Sequence, residues 1–142
     1  RAICRSTMKE PVHEGTPVIV LDTIGELGRL YSLGDIIFVG GSLVKTGGHN
    51  ILEPAAHGKP ILVGPYMFNF KEIYALLSSR DACLMVRDAD ELTKTMLRLC
   101  HDKELRERMS ANCLALVHEN RGATQRNTEE LRKLFEREHI IP

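Results

Sequence analysis

Short apolar runs recur along the chain, separated by stretches whose apolar residues fall at helical spacing. Pro17-Val-Ile-Val-Leu21, Ile36-Ile-Phe-Val39, Pro60-Ile-Leu-Val63 and Ala82–Val86 are continuous apolar runs, the first of them β-branched, and read as buried strands. Between them, Ile24–Leu33 reads as a short helix closed by Gly34, with Leu27, Leu30 and Tyr31 on one face. Glu72–Ser79 reads as another helix. From Asp88 onward the period is helical throughout. Asp88 or Asp90 can cap a helix running through Cys100, and Asp102 can cap a second that carries Leu105, Met109, Cys113, Leu116 and Val117. Gly122 ends it, and Thr124 can cap a last, charge-laced helix to Glu138. Residues 1–16 are polar and irregular, with Pro11 and Gly15. Strands alternating with helices predict an α/β domain: a Rossmann-like, doubly wound parallel sheet covered on both faces. Such sheets bind ligands at the carboxyl ends of their strands.

Two segments lie at those ends. In Lys45–Pro60, Pro54 is tolerated only in the opening turn of a helix, because further in it would remove a hydrogen bond and clash with the preceding turn. Gly58 closes the helix a turn later. The helix therefore starts near Asn50, and the N–H groups of His49 to Glu53 have no intrahelical acceptor. With Gly47 and Gly48 allowing close backbone approach, this start suits a phosphate. Glu53 would repel that phosphate if stacked on it, so it reads either as a helix cap or as an acceptor for ribose hydroxyls. At the neighbouring strand end, Asp22–Glu26 offers Ile24, Gly25 and Glu26 to the edge of a base. The alternative is that Asp22 or Thr23 caps the next helix, with Glu26 in its first turn. Gly64–Phe70 either lines a sugar pocket or packs under the sheet edge.

At 142 residues the chain can build one complete core and is short for two. Lysine plus arginine equals aspartate plus glutamate, 19 each, and aromatic residues are 5%, so neither a nucleic-acid field nor a base-stacking platform is indicated. The glycines are not followed by a lysine-serine/threonine pair, which excludes a P-loop, and GxGxxG is absent after the first strand. Cys4, Cys83, Cys100 and Cys113 show no metal spacing and read as buried free thiols in a reducing compartment. His57, His101, His118 and His139 have no metal-partner spacing either. No apolar run is long enough to span a membrane. The chain begins at Arg1 rather than methionine, which suggests a piece of a longer protein.

Taken together, Asp22-Thr-Ile-Gly-Glu-Leu27, Phe38-Val-Gly-Gly-Ser42, Gly47-Gly-His-Asn50 with Glu53-Pro54, Gly64-Pro65 and Asn69-Phe70 resemble one family in order and spacing. It is the 3-deoxy-D-manno-octulosonic acid (Kdo) transferases of lipopolysaccharide synthesis. The resemblance is specific from Val18 to Leu77 and looser to Leu134, through Gly122-Ala-Thr124. It implies the carboxy-terminal half of an inverting GT-B glycosyltransferase that moves Kdo from CMP-Kdo to the lipid A precursor at the cytoplasmic face of the bacterial inner membrane. Residues 1–142 are then a single donor-nucleotide domain, with 123–142 a terminal helix. The resemblance places Asn50, Ile51, Leu52 and Glu53 around CMP, with Glu53 on the ribose. It puts Gly48 and His49 near the phosphate and makes Ile24, Gly25 and Glu26 a second CMP-contacting segment. CMP-Kdo enters as donor substrate, and neither a cofactor nor a metal is implied.

The family's amino-terminal acceptor half, with its membrane contact, its acceptor groove for the lipid A precursor and its general base, has no counterpart here. A Pro-Arg element that contacts the nucleotide is missing or truncated. The domain alone is therefore expected to bind rather than catalyse, with no catalytic residue of its own. Two other readings stay open: a GT-B domain for a UDP-sugar, and a non-catalytic α/β binding module.

Overall fold

The structure, a computed structural model, describes residues 2–8 and 18–137. Pro11, Gly15, Pro17, Glu138 and His139 lie outside the described residues, and so does the Thr124 side chain, which bears on its expected role as a cap.

The strands are β1 Ala2–Cys4, β2 Val18–Val20, β3 Ile37–Phe38, β4 Ile61–Val63 and β5 Cys83–Met85. The helices are α1 Leu27–Leu30, α2 Leu52–Ala56, α3 Lys71–Ser78, α4 Ala89–His101, α5 Lys103–Glu119 and α6 Ala123–Arg137. All strand pairs are parallel, as the alternating pattern predicts. The expected single sheet is corrected in one respect. Strands β3, β4 and β5 form one sheet in chain order, whereas β2 pairs with β1 in a separate two-stranded sheet. Ala2–Cys4, expected to be irregular, is thus a strand, in register with Val18–Val20. A three-residue segment has no periodicity of its own, and only its partner makes it a strand.

In the larger sheet, residues of alternate parity face opposite sides. Ile61, Val63 and Cys83 pack with Ile51, Ala55, Leu77, Cys113 and Leu116 on one face. Leu62 packs with Leu99, Leu105 and Met109 on the other, joined by Phe38 and Leu84. Helix α5 therefore serves both layers, with its first turns against one face and its last turns against the other. It crosses at the amino-terminal edge of the sheet, where the Cys113 thiol is placed to donate to the carbonyls of Lys59 (3.4 Å) and Ala82 (3.3 Å). That leaves the opposite edge, at the carboxyl ends, open for loops.

The caps of α4 and α5 are as the local sequence predicts. Of the two candidates for α4 the structure uses Asp88, whose carboxylate accepts from the Glu91 N–H at 2.8 Å. Asp102 accepts from the Leu105 N–H at 2.9 Å. The cysteine expectation is corrected in part. Cys83 and Cys113 are buried, and burial pushes their thiols up to about 12 and about 11. Cys4 and Cys100 are exposed. Cys100 lies within an amphipathic helix, but on its solvent side.

Candidate functional site

Two loops at the carboxyl ends of β3 and β4 are locked together by one buried serine. Ser42 is fully buried. Its hydroxyl donates to the Val39 carbonyl at 2.5 Å and accepts from the Gly64 N–H at 2.7 Å. Its own carbonyl accepts from the Tyr66 N–H at 2.9 Å. The contact is so close that a Cβ on Gly64 would stand 2.2 Å from the Ser42 carbonyl oxygen. Sequence reasoning quoted Ser42 only as part of a motif. The signal that could have found it is a serine directly after a strand-ending Gly-Gly, where a buried hydroxyl must find partners.

The segment after Ser42 closes on itself before α2 begins. The Gly41 carbonyl accepts from the Gly48 N–H at 3.1 Å and from the Thr46 hydroxyl at 2.5 Å. Gly47 and Gly48 take φ of +96° and +73°, in the left-handed region that favours glycine. Close approach was expected there from a ligand. The structure shows it from the chain: a Cβ on Gly47 would meet the Asn69 amide at 2.2 Å, and one on Gly48 the Met67 sulfur at 2.3 Å. The Asn69 N–H also donates to the Gly47 carbonyl at 3.3 Å, and its side-chain amide donates to the Thr46 carbonyl at 3.3 Å. Gly64–Phe70 therefore packs against the Ser42–Gly48 loop, with Met67 buried and Phe68 exposed.

Helix α2 starts two residues later than the sequence suggests, at Leu52, and runs for only five residues. Pro54 sits in its first turn and Gly58 follows it with φ +62°, as their chemistry requires. Asn50 organises the start. Its side-chain oxygen accepts from the Leu52 N–H at 3.0 Å, and its amide donates to a Glu53 carboxylate oxygen at 3.1 Å. The Leu52 N–H is thus satisfied by the chain. Those of His49, Asn50, Ile51 and Glu53 have no acceptor among the described residues. Ile51 anchors the segment, being fully buried, while His49, Leu52 and Glu53 are exposed. The His49 imidazole lies over Gly41, where an added Cβ would come within 3.3 Å of Nε2.

The second segment follows β2. Asp22 is not a helix cap. Its carboxylate accepts from the Ser6 N–H at 2.8 Å and from the Ser6 hydroxyl at 2.5 Å, joining the carboxyl ends of β1 and β2. The Ser6 hydroxyl is the main reason the Asp22 carboxyl lies below its usual range. Glu26 accepts from the Thr23 hydroxyl and, at 3.0 Å, from Arg5 Nη2. The Thr23 hydrogen bond chiefly, then the Arg5 charge, holds Glu26 below the usual carboxylate range, against an opposing contribution from desolvation. Ile24 is completely exposed beside Gly25, whose φ is +88°. Arg5 and Ser6 are the residues the sequence reading missed here, because nothing local ties them to a position 16 or 21 residues away.

The two segments are linked through the 3-10 turn Tyr31–Leu33 that closes α1 and lies against α2. Tyr31 stands with its ring 6.3 Å from that of His57. Burial first, and the Glu53 charge second, push the Tyr31 phenol up. Among the described residues no direct hydrogen bond joins Ile24–Glu26 to Gly48–Glu53. No group of three or more His, Cys, Asp or Glu among them is placed to hold a metal ion.

No protein-family model matches the chain. It is similar to the 3-deoxy-D-manno-octulosonic acid transferase of Haemophilus influenzae, 45% identical over 95% of this chain and 32% of the relative. The 3-deoxy-D-manno-octulosonic acid transferase of Bordetella pertussis is 35% identical over 80% of this chain and 27% of the relative. The chain thus spans about a third or less of the length of these curated relatives. Among solved structures, it is similar to the C-terminal CMP-Kdo binding domain of WaaA from Acinetobacter baumannii. That match has a TM-score of 0.75 and 36% identity, covering 82% of this chain and 60% of that one.

Proposed function

We propose, for a chain that belongs with the Kdo transferases as the counterpart of their carboxy-terminal domain, that it binds CMP-Kdo at the Ile24–Glu26 and Gly48–Glu53 segments. The observation that carries this reading is the set of N–H groups on His49, Asn50, Ile51 and Glu53 with no acceptor among the described residues, next to a Glu53 carboxylate already oriented by Asn50. The N–H groups suit the CMP phosphate. Helix α2 is too short for its dipole to contribute much, so the individual donors do this, prepositioned before ligand arrives. Glu53 then accepts from the ribose hydroxyls, and the exposed Ile24 covers the face of the base while the Gly25 backbone reads its edge. Glu26, held by Thr23 and Arg5, positions that turn.

In the whole protein this domain would present the donor for transfer of Kdo to the lipid A precursor. Stabilising charge on the departing CMP phosphate is the contribution these donors make to that reaction. Deprotonation of the acceptor hydroxyl falls to the part of the relatives this chain does not span. The chain alone binds and does not transfer. The setting proposed for the whole protein is the cytoplasmic face of the inner membrane. No helix among the described residues is long and apolar enough to cross a membrane.

Amide chemical-shift mapping with CMP tests the reading. Shifts should centre on 22–26 and 48–53, and Glu53→Ala should weaken CMP about tenfold, the loss of a charged hydrogen-bond pair. Shifts confined elsewhere would overturn the site. Tighter binding of UDP than of CMP would assign the domain to a UDP-sugar enzyme instead.

A further inference from the structure

CMP-Kdo carries two anionic groups, the phosphodiester and the carboxylate that makes its sugar an octulosonic acid. The donors described above account for the first only. Phe68 and Asn69, which pack on Gly47, begin a segment, residues 68–73, that lines a cleft of about 350 Å3. It adjoins the proposed phosphate position through two fixed contacts: Asn69 bonded to the Gly47 and Thr46 carbonyls, and Met67 packed on Gly48. The cleft holds one cation, Lys71, which is exposed and forms no ion pair with any described residue. Among the other exposed basic residues, Arg80, Arg87, Lys103, Arg132 and Lys133 are paired with carboxylates, whereas Lys45 and Lys94, like Lys71, form no ion pair with a described residue.

We infer that the Phe68–Ile73 cleft is the sugar subsite of the donor site, and that Lys71 is its specificity residue, receiving the sugar carboxylate. This deepens the CMP-Kdo reading and rests on it. The rest of the cleft fits a polyhydroxylated acid. The Asn69 side-chain oxygen is free to accept while its amide is held by Thr46, Glu72 accepts from hydroxyls, and the exposed Phe68 ring offers an apolar wall for a sugar face. A lysine is suited to this task because a single sugar carboxylate on a flexible ligand needs a point charge more than a rigid fork. A neutral sugar joined to a nucleotide would leave Lys71 without a partner, so the residue discriminates between donors as well as binding one.

The test titrates CMP and CMP-Kdo separately against the wild-type chain, Lys71→Met and Lys71→Arg. Lys71 is exposed, so neither substitution threatens the fold, and the amide spectrum verifies that. The expected result is CMP affinity unchanged within about twofold in all three, with CMP-Kdo weakened about tenfold or more in Lys71→Met and largely restored in Lys71→Arg. Equal affinity of wild type and Lys71→Met for CMP-Kdo overturns the subsite while leaving the nucleotide site standing. Failure of wild type to bind CMP overturns both.

Discussion

Replacing Ser42 by alanine should loosen the edge on which the whole site is built. The hydroxyl both donates and accepts: it fills the Val39 carbonyl and the Gly64 N–H, in a position with no solvent exposure. Ser42→Ala leaves a buried N–H and a buried carbonyl unmatched and removes almost no apolar contact. An unsatisfied buried group costs about 1–3 kcal/mol, and we expect a loss in that range rather than twice it, because the Val39 carbonyl can relax more easily than the Gly64 N–H. For a domain of this size that is about 3–10 °C in Tm. Urea unfolding followed by circular dichroism measures the loss directly. Chemical shifts of the Gly64, Gly47 and Gly48 amides report whether the loops separate. Gly64→Ala provides the comparison. Its Cβ would stand 2.2 Å from a backbone oxygen that cannot swing aside, so β3 and β4 must part at their ends. The loss there should exceed that of Ser42→Ala and reach about 3 kcal/mol or more. A loss below about 0.5 kcal/mol for Ser42→Ala, or the reverse order of the two variants, would refute the reasoning that Ser42 joins the strand ends.

Two further outcomes are expected. The buried thiols of Cys83 and Cys113, raised to about 12 and about 11, should resist alkylation in the native chain at pH 8, whereas the exposed Cys4 and Cys100 react; mass spectrometry of the labelled protein checks this, and native labelling of Cys113 would contradict its placement at the base of the sheet. Asp22 and Glu26 both have folded-state values lowered from 3.8 and 4.5, so the unfolded chain takes up protons first as pH falls. Their stabilisation is complete above those ordinary values and is lost as pH drops through the lower folded-state ones. Urea midpoints measured from pH 6 to pH 3 should therefore fall less steeply for Ser6→Ala and Thr23→Ala than for wild type, and parallel curves would remove Ser6 and Thr23 as the cause.

Features that depend on a few neighbouring residues were legible in the sequence. Pro54 in the first turn of α2 and Gly58 beyond its end were legible because a proline ring and a left-handed turn each dictate their own backbone, wherever the chain goes afterwards. Asp88 and Asp102 cap α4 and α5 through hydrogen bonds that span three residues. The apolar runs that became β3, β4 and β5, and the parallel α/β class, follow from strand length and alternation with helices. The motif order from Asp22 to Phe70 placed the chain beside the Kdo transferases, which the similarity to relatives and to a solved CMP-Kdo binding domain bears out.

Other features needed partners that lie far off in the chain. Ala2–Cys4 is a strand because Val18–Val20 lies beside it, and β2 left the main sheet for the same pairing. A cap by Asp22 or Thr23 was one of two readings of the Asp22–Glu26 segment; in the structure Asp22 instead binds Ser6, and Glu26 binds Arg5 besides its local partner Thr23. Local spacing encodes Thr23 as a donor to Glu26, but not Ser6 or Arg5, which only folding brings near these carboxylates. Gly47 and Gly48 were expected to leave room for a ligand's close approach, and only packing shows Asn69 and Met67 as the groups that lie against them. The sequence by itself determined most of the elements, the caps of α4 and α5 and the family, because those follow from short-range stereochemistry and pattern. The tertiary structure alone decided which N–H groups have no acceptor among the described residues, which hydroxyl holds two strand ends together and which lysine faces a cleft, because each depends on contacts between segments that folding, and not spacing, brings together.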